Sequence, residues 1–554
     1  MMIDLQAAPF NLDDEAIAWV EQTLVGLSTA DKISQLFVLL SRTPPEQTLA
    51  ELVRFKPGGI TRIYSADVDA EIALARSYIE ASAIPPLISA DLEGSRMSLP
   101  FGTIVPNPLG LASVNDVEAT EAISTVMAEE ARAMGLNWSF TPVIDINKAF
   151  RSAIVGTRSY GSDIRTIHDH AMAQIGAFQR AGVAATVKHW PGEGYDDRDQ
   201  HLVTTVNPLS LEEWDETYGR LYAAAIGAGV MAVMTAHIAF PGFVRELDPD
   251  AGAEAFRPAT LSPVLNIDLL RDGLGFNGLI VSDATPMAGF GDWGPREQTV
   301  PEAVMAGCDV ILFSDDPDAD VGFLHAALAD GRLTAERLDA AVTRILGLKA
   351  ALKLQHRQLP EPSATKALLA RPASRQLADQ VTARVPTLVK DVQNLLPLDP
   401  KKHKRILIYS GGIILPFVPH PVPFSLPERL KAEGFEVTLF QQGMTADASQ
   451  FDLVLYLFGE ETTLTRSRIF LDWTKLTGSI FGAMHRLWYE VPTLMISFGY
   501  PYYLYDAPRV PTYINAYGSA EPIQAAVLEA LVGRAEFSGS NPIDPFCGSD
   551  QGKY

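Results

Sequence analysis

The sequence has few cysteines and no long apolar run. Its 554 residues include only two cysteines, Cys308 and Cys547, which argues against a disulfide framework and against a zinc site built on cysteine. No run approaches the roughly 18 apolar residues of a membrane span, and the first residues lack the basic segment and apolar core of a signal peptide. We therefore expect a cytoplasmic protein without a membrane partner.

Basic residues are also few compared with acidic residues. Lysine and arginine number 44 against 67 aspartates and glutamates, which gives a net charge of −23 at pH 7. Such a balance opposes binding to nucleic acid and to anionic membranes. No GxGxxG follows an apolar run and no P-loop is present, so a nucleotide site has little support. We expect a neutral small molecule as the substrate and no nucleic-acid partner.

The first part of the chain contains short apolar runs that are separated by amphipathic segments. Segments such as 116–135 and 163–182 have the period of helices that are buried on one face. Eight such units predict an α/β fold with an N-terminal (β/α)₈ TIM-like barrel over residues 1–354. An open doubly wound sheet is the alternative. The eight runs are KISQLFVLL, GGITRIYS, PPLISAD, LNWSFTPVIDI, VAATVKHW, GVMAVMTAH, GLIVSD and CDVILF.

A segment rich in proline, serine and alanine follows the predicted barrel. We interpret residues 355–374 as a linker. Alternation of strand and helix patterns then resumes with RILIYSGG, FEVTLFQ, DLVLYLFGE, TLMISFGYP and TYINAYG. This pattern predicts a C-terminal three-layer α/β sandwich domain over residues 375–554.

Polar residues stand where five of the predicted barrel strands end. The carboxyl ends of barrel strands converge on one face, and the loops of that face build the active site of such barrels. We therefore expect a site formed by Asp91, Asp145, Lys188, His189, His237 and Asp283.

Asp283 ends an apolar strand and is followed by small residues, in GLIVSDATPMAGF. A carboxylate in this place is held rigidly without being covered, as a nucleophile requires. An aspartate that caps the next helix would give the same pattern.

The loop after the fifth strand contains two glycine turns and many titratable side chains within fourteen residues. Its sequence is KHWPGEGYDDRDQH. In it, Asp199 stands two residues before His201, and a carboxylate beside an imidazole fixes its tautomer and orientation for general acid/base work. A solvated loop is the alternative. A metal site on His189, His201 and His237 is a weaker one, because no HExxH-like spacing is present.

Five motifs of the predicted barrel and a sixth at the start of the second domain give the chain its resemblance to a known family. KHWPGEGYDDRDQH is similar to the KHFPGHG…DSH motif of glycoside hydrolase family 3, and GLIVSDA resembles the nucleophile strand of that family. PLISADLEGSR, NWSFTPVIDIN and VGTRSYGSD also match in order, as does TLVKDVQNLLPL at the start of the second domain. The resemblance covers nearly the whole chain.

The resemblance implies an exo-acting retaining β-N-acetylglucosaminidase without metal or organic cofactor. Asp283 would be the nucleophile that forms a covalent glycosyl-enzyme. Asp199 and His201 fall on the acid/base dyad of the branch that acts on N-acetylglucosaminides, some members of which are phosphorylases. The resemblance also implies that the small carbohydrate substrate, an N-acetylglucosaminide or a glucoside, is bound by Asp91, Arg158, Lys188 and His189.

Two departures from the family motifs and two alternative functions remain. Glu193 replaces the second histidine of KHFPGHG, and Ser95 replaces the second glycine of EGG.

One alternative is a β-glucosidase whose acid/base is Glu460 or Glu461 of the second domain, and another is a sugar-binding protein without activity. A histidine acid/base also permits inorganic phosphate as the acceptor, because an imidazole does not repel a dianion as a carboxylate does.

Overall fold

The structure is a computed structural model that describes residues 3–416 and 418–554. Its strands are β1 (Phe37–Ser41), β2 (Gly59–Arg62), β3 (Leu87–Ala90), β4 (Trp138–Ser139), β5 (Thr186–Trp190), β6 (Thr205–Val206), β7 (Ala232–Thr235), β8 (Ile238–Ala239), β9 (Leu279–Ala284), β10 (Val310–Leu312), β11 (Thr387–Asp391), β12 (Arg405–Ile414), β13 (Glu436–Leu439), β14 (Leu453–Glu460), β15 (Thr493–Ser497) and β16 (Thr512–Asn515).

The α-helices of the first 354 residues are α1 (Asp14–Gly26), α2 (Thr29–Gln35), α3 (Pro45–Phe55), α4 (Val68–Ala81), α5 (Pro108–Val114), α6 (Val117–Ala133), α7 (Ile164–Arg180), α8 (Leu211–Trp214), α9 (Arg220–Gly227), α10 (Pro241–Leu247), α11 (Ala288–Gly291), α12 (Arg296–Met305), α13 (Pro317–Asp330) and α14 (Ala335–Ala351). Later helices are α15 (Pro362–Leu368), α16 (Pro372–Thr382), α17 (Leu426–Ala432), α18 (Trp473–Thr477), α19 (Ile480–Met484) and α20 (Glu521–Leu531). Asp215–Gly219 and Val264–Gly273 are π-helical.

Eight parallel strands form the barrel, in the order β4, β3, β2, β1, β10, β9, β7, β5. Bridges between Trp138 and Ala184 and between Val143 and Lys188 join its two edges. Every one of the eight predicted runs contains a barrel strand, which confirms the predicted fold class. In the first run the strand begins only at Phe37, because the preceding KISQ lies in the last turns of α2.

The helices predicted over 116–135 and 163–182 are confirmed as α6 and α7, which pack against each other. Asp116 caps α6 by accepting a hydrogen bond from the amide of Ala119. Asp163 caps α7 in the same way at the amide of Thr166. A side-chain acceptor at the N-cap satisfies an amide that has no partner inside the helix, which is why both helices begin where they do.

The second domain is built on a six-stranded sheet in the order β11, β16, β15, β14, β12, β13. Only the β11–β16 pair is antiparallel. Helix α20 contacts both α16 and α17, while α18 lies against β12. The five predicted strands are present, and β11 adds a sixth from the TLVKD segment, so the predicted α/β domain is confirmed.

The predicted linker 355–374 contains α15 and the start of α16. The limits at 354 and 374 stay a prediction, since strands and helices alone do not divide the chain there. Beyond α20 the tail returns to the barrel: Ser540 donates its amide to the carbonyl of Ser113 at 2.8 Å, and Ser162 donates to Pro542 at 3.1 Å. Within the described residues, no helix combines the length and apolar character of a transmembrane span.

Candidate active site

Asp283 lies one residue before the end of β9, at the carboxyl end of the barrel. One of its oxygens accepts a hydrogen bond from the amide of Ala284 at 2.7 Å. Burial raises the pKa of this carboxyl, but neighbouring imidazoles, that of His189 first, outweigh the burial and hold the pKa below its usual value. Asp283 is therefore ionised near neutral pH, the form in which a carboxylate can attack carbon.

Asp199 and His201 are hydrogen-bonded to each other. The Asp199 Oδ1 atom accepts from His201 Nδ1 at 2.7 Å and from the His201 amide at 2.8 Å. The Asp199 side chain is 1% exposed and that of His201 is 24% exposed. Because Nδ1 donates to the carboxylate, Nε2 is the nitrogen left to exchange a proton at the open side of the ring.

The second domain reaches the same carboxylate. The amide of Thr465, in the loop after β14, donates to Asp199 Oδ2 at 2.8 Å. Both oxygens of Asp199 are thus occupied, one by its own loop and one by domain two. The sequence motifs gave no signal for this contact, because a backbone amide leaves no trace in residue type.

A buried charge cluster lies beside the mouth of the barrel. Arg158 donates to both oxygens of Glu93, from Nε at 2.8 Å and from Nη2 at 3.0 Å. Lys188 Nζ lies 2.7 Å from Asp91 Oδ1 and 2.8 Å from Glu93 Oε1. Burial raises the pKa of Glu93, yet Arg158 and Lys188 more than offset it and hold this pKa below its usual range. Asp91, 36% exposed, is the most open member.

His189 is oriented by Asp145, which lies six residues beyond the end of β4. Asp145 accepts from His189 Nδ1 at 2.6 Å and from the amides of His189 and Glu193 at 3.1 and 2.8 Å. Gly194 lets the loop turn back here, since its φ is 113° and a side chain would lie 2.0 Å from the Ile146 carbonyl oxygen. Asp145 therefore shapes the loop and leaves Nε2 of His189 for a ligand.

His237 and Gln200 join the loop after β5 to the neighbouring strands. His237 Nε2 lies 3.0 Å from the Ala284 carbonyl oxygen, so this nitrogen carries the proton, and Nδ1 lies 3.0 Å from Thr260 Oγ1. Gln200 accepts from the His237 amide at 3.0 Å and donates to Glu193 Oε2 at 3.2 Å. These bonds hold the loop against the end of β9.

Glu193 is buried among other carboxylates. Its Oε1 atom has no hydrogen-bond partner among the described residues. Burial first, and then the negative charge of Asp145, hold the pKa of Glu193 well above its usual value. This departure from the family motif therefore places a buried carboxyl group with a raised pKa beside Asp145.

Asp145, His189 and Glu193 are close enough together to suggest a metal site. Two atoms that each bind a zinc ion at about 2 Å in tetrahedral geometry lie roughly 3.3 Å apart. Asp145 and His189 are instead in direct hydrogen-bond contact at 2.6 Å. The arrangement therefore fits an imidazole oriented by a carboxylate better than a metal centre.

The two candidate glutamates of the second domain, Glu460 and Glu461, each have polar partners of their own. Glu461 is 3% exposed and accepts from Ser95 Oγ at 2.9 Å, Asn107 Nδ2 at 3.2 Å and Ser519 Oγ at 2.7 Å. Glu460 lies 3.2 Å from Arg466. Glu461 therefore serves as a contact between the domains.

Trp190, in the KHWPGEG motif, is fully buried. It makes edge-on contacts with Trp214 and Tyr222, at 5.6 and 4.7 Å between ring centroids. Trp190 is therefore a core residue beneath the loop.

The chain matches known proteins in sequence and in fold. Residues 28–348 match the model of the glycosyl hydrolase family 3 N terminal domain. The chain is 40% identical to a "Beta-N-acetylglucosaminidase/beta-glucosidase" of Cellulomonas fimi, over 99% of both chains. It is 33% identical to a "Beta-hexosaminidase" of Vibrio cholerae serotype O1, over 46% of this chain and 73% of the relative.

Among solved structures, "Beta-glucoside phosphorylase BglX" superposes with a TM-score of 0.92 at 35% identity, over 99% of both chains. A "glycoside hydrolase family 3 beta-N-acetylglucosaminidase" from Paenibacillus sp. str. FPU-7 has a TM-score of 0.80 at 24% identity, over 95% of this chain and 100% of that one. The first likeness covers both domains, and the second supports the fold.

Proposed function

Because the chain belongs to glycosyl hydrolase family 3 and is a glycosidase, we propose that it removes terminal β-linked N-acetylglucosamine by a retaining mechanism, with glucose as a second accepted sugar. The observation that carries the proposal is the 2.7 Å bond between His201 Nδ1 and the buried carboxylate of Asp199. A solvated loop would not hold such a pair beneath the surface. The dual name of the relative from Cellulomonas fimi supports both sugars.

In the first step an Asp283 oxygen bonds to the anomeric carbon while the bond from that carbon to the aglycone oxygen breaks. His201 Nε2 gives its proton to the departing oxygen, and the imidazole becomes neutral with Nδ1–H still directed at Asp199. The ester to Asp283 holds the sugar on the barrel. A second displacement at the same carbon then restores the original β configuration.

The sugar is held by the charged cluster at the barrel mouth. In this proposal Asp91, Lys188 and Arg158 bind ring hydroxyls by charge-assisted hydrogen bonds, which are stronger than neutral ones. Glu93 fixes the two cations in place through the three contacts described above. His189, oriented by Asp145, offers Nε2 to a further hydroxyl.

The second acceptor is water or inorganic phosphate. When water attacks, His201 takes its proton; when phosphate attacks, a sugar 1-phosphate leaves. Glu193, Asp196 and Asp197 of the loop would repel phosphate if all three were charged and unpaired. Asp196 is paired with Arg198, whose Nε lies 2.9 Å from Oδ1, and burial holds the pKa of Glu193 well above its usual value; both features reduce the repulsion. The similar structure of a β-glucoside phosphorylase supports phosphorolysis as well.

Turnover of 4-nitrophenyl β-N-acetylglucosaminide with and without millimolar phosphate tests the proposal, with the sugar product identified by mass spectrometry. Sugar 1-phosphate would establish a phosphorylase, and free N-acetylglucosamine at a phosphate-independent rate would establish a hydrolase. No turnover of this substrate, with turnover of the glucoside, would contradict the proposed sugar preference.

His201→Gln separates the dyad from a glutamate acid/base in domain two. On a phenyl glycoside, whose leaving group needs a proton, we expect a loss within the roughly 10²–10⁴-fold that a general acid contributes. His325→Gln, at an exposed position of α13, is the matched control. Full activity of His201→Gln on the phenyl glycoside would favour the β-glucosidase with Glu460 or Glu461.

A further inference from the structure

Ser95 adopts a backbone conformation that normally belongs to glycine. Its φ is 49°, in the left-handed region where a side chain is strained. The family motif has glycine at this position, so the serine departs from it toward higher strain. Its hydroxyl donates to Glu461 Oε1 at 2.9 Å, across the boundary between the domains. Ser95 is 5% exposed, so the bond is shielded from water.

Residues 461–465 form the loop after β14 and are here called the domain-two segment. The barrel holds this segment at several points. Arg96, next to Ser95, donates to the carbonyl of Thr462 and, at 3.0 Å, to that of Ile414. The amide of Thr463 donates to the Ala153 carbonyl at 3.1 Å. Thr465 then donates to Asp199 Oδ2, so the segment runs from the Ser95 contact to the dyad.

We propose that the domain-two segment positions the acid/base dyad, and that the Ser95–Glu461 hydrogen bond locks the segment to the barrel. The proposal rests on the assignment of Asp199 and His201 as the acid/base. Ser95 and Thr465 are positioning residues here, because each acts through another group.

The geometry explains how such a lock acts. Asp199 Oδ1 holds the imidazole through Nδ1 and the His201 amide, while Oδ2 has Thr465 as its partner. When the segment shifts, the carboxylate of Asp199 loses the hydrogen bond from Thr465 that fixes its plane. The imidazole of His201, which is hydrogen-bonded to this carboxylate, is then no longer held in one orientation. Small displacements of a catalytic group weaken proton transfer much more than they weaken folding.

Ser95 also stands two residues after Glu93, which holds Arg158 and Lys188. The same short loop therefore bears on the sugar-binding cluster at one end and on the domain-two segment at the other. In this way the barrel and the second domain form one site.

Ser95→Gly tests the lock without endangering the fold. Glycine is unstrained at a φ of 49°, so the variant keeps the loop and loses only the hydroxyl. Asn115→Gly is the matched control: Asn115 also has a positive φ, of 52°, but lies at the end of α5 on the surface. Glu461→Gln serves as a second variant, which keeps the size of the side chain and removes its charge.

Each variant is assayed on a phenyl glycoside, which needs protonation of its leaving group, and on a 2,4-dinitrophenyl glycoside, which does not. For Ser95→Gly we expect kcat/KM on the phenyl substrate to fall about tenfold, which is part of the ~10²–10⁴-fold effect of a general acid. We expect kcat/KM on the dinitrophenyl substrate to change less than about twofold, because its leaving group needs no proton. Asn115→Gly should match the wild type on both. In an Asp199→Asn background, Ser95→Gly should cause no further loss.

An equal loss on both substrates, no loss on either, or additivity with Asp199→Asn would overturn the proposal. If Asp199→Asn and His201→Gln themselves affect both substrates alike, the acid/base assignment fails and the lock fails with it. The two failures are therefore distinguishable.

Discussion

Glu93→Gln is the substitution whose effect the charge cluster predicts most directly. The Glu93 side chain is 2% exposed and accepts three hydrogen bonds from cations, two from Arg158 and one from Lys188. Removing one partner of a buried ion pair leaves the other charge uncompensated, which typically costs about 3–5 kcal/mol of unfolding free energy. Glutamine keeps the shape and removes the charge, so we expect a loss of about this size at pH 7.

The loss should depend on pH in a fixed direction. The pKa of Glu93 is held below its usual value in the folded protein, so its stabilisation is complete above the pKa of an unfolded glutamate, about 4.3. It is lost as the pH falls through the lower pKa of the folded state. The difference between wild type and variant should therefore be constant from pH 7 to pH 5 and shrink below pH 4.

Urea unfolding followed by tryptophan fluorescence measures this difference. Glu490→Gln, at an exposed glutamate, is the control and should change the unfolding free energy by less than about 0.5 kcal/mol. A Glu93→Gln loss below about 1 kcal/mol at pH 7, the value of an exposed pair, would refute the interpretation of a buried, charged cluster. So would a loss that is the same at pH 7 and at pH 3.

Two further predictions concern residues of and beneath the acid/base loop. Glu193→Gln should raise the midpoint of thermal unfolding at pH 7 and leave it unchanged near pH 4. The pKa of Glu193 is raised in the folded protein, so ionisation at pH 7 favours the unfolded wild-type chain, and glutamine removes this effect. An equal or lower midpoint at pH 7 would contradict this. Trp190→Ala should destabilise the protein by about 3–5 kcal/mol, since it empties a fully buried site, whereas an unchanged urea midpoint with a higher KM would indicate sugar stacking instead.

The strands of the barrel could be predicted because their apolar runs are buried on both faces and stand apart from the helical segments. Asp283 and the Asp199–His201 pair could also be found, since strand ends and the short spacing within one loop are visible in the sequence. Contacts of this kind depend on residues that are close along the chain or placed by a regular fold.

Contacts between the domains could not be predicted. Thr465 reaches Asp199 through its backbone amide from 266 residues away, and residue type carries no information on such a bond. The residue type of Glu193 suggests an ordinary carboxylate, but burial and the negative charge of Asp145 hold its pKa well above the usual value. The surroundings that shift a pKa are assembled only by the fold.

Trapping of the glycosyl-enzyme tests the central claim most directly. A 5-fluoro N-acetylglucosaminyl fluoride, incubated with the protein before trypsin digestion, should add the mass of one fluorinated sugar to the peptide 272–296. Fragmentation should place the sugar on Asp283, since Asp272 and Asp292 of the same peptide lie away from the end of β9, and Asp283→Asn should abolish the label. A label on any other residue, or turnover without a label in wild type, would contradict the proposed mechanism.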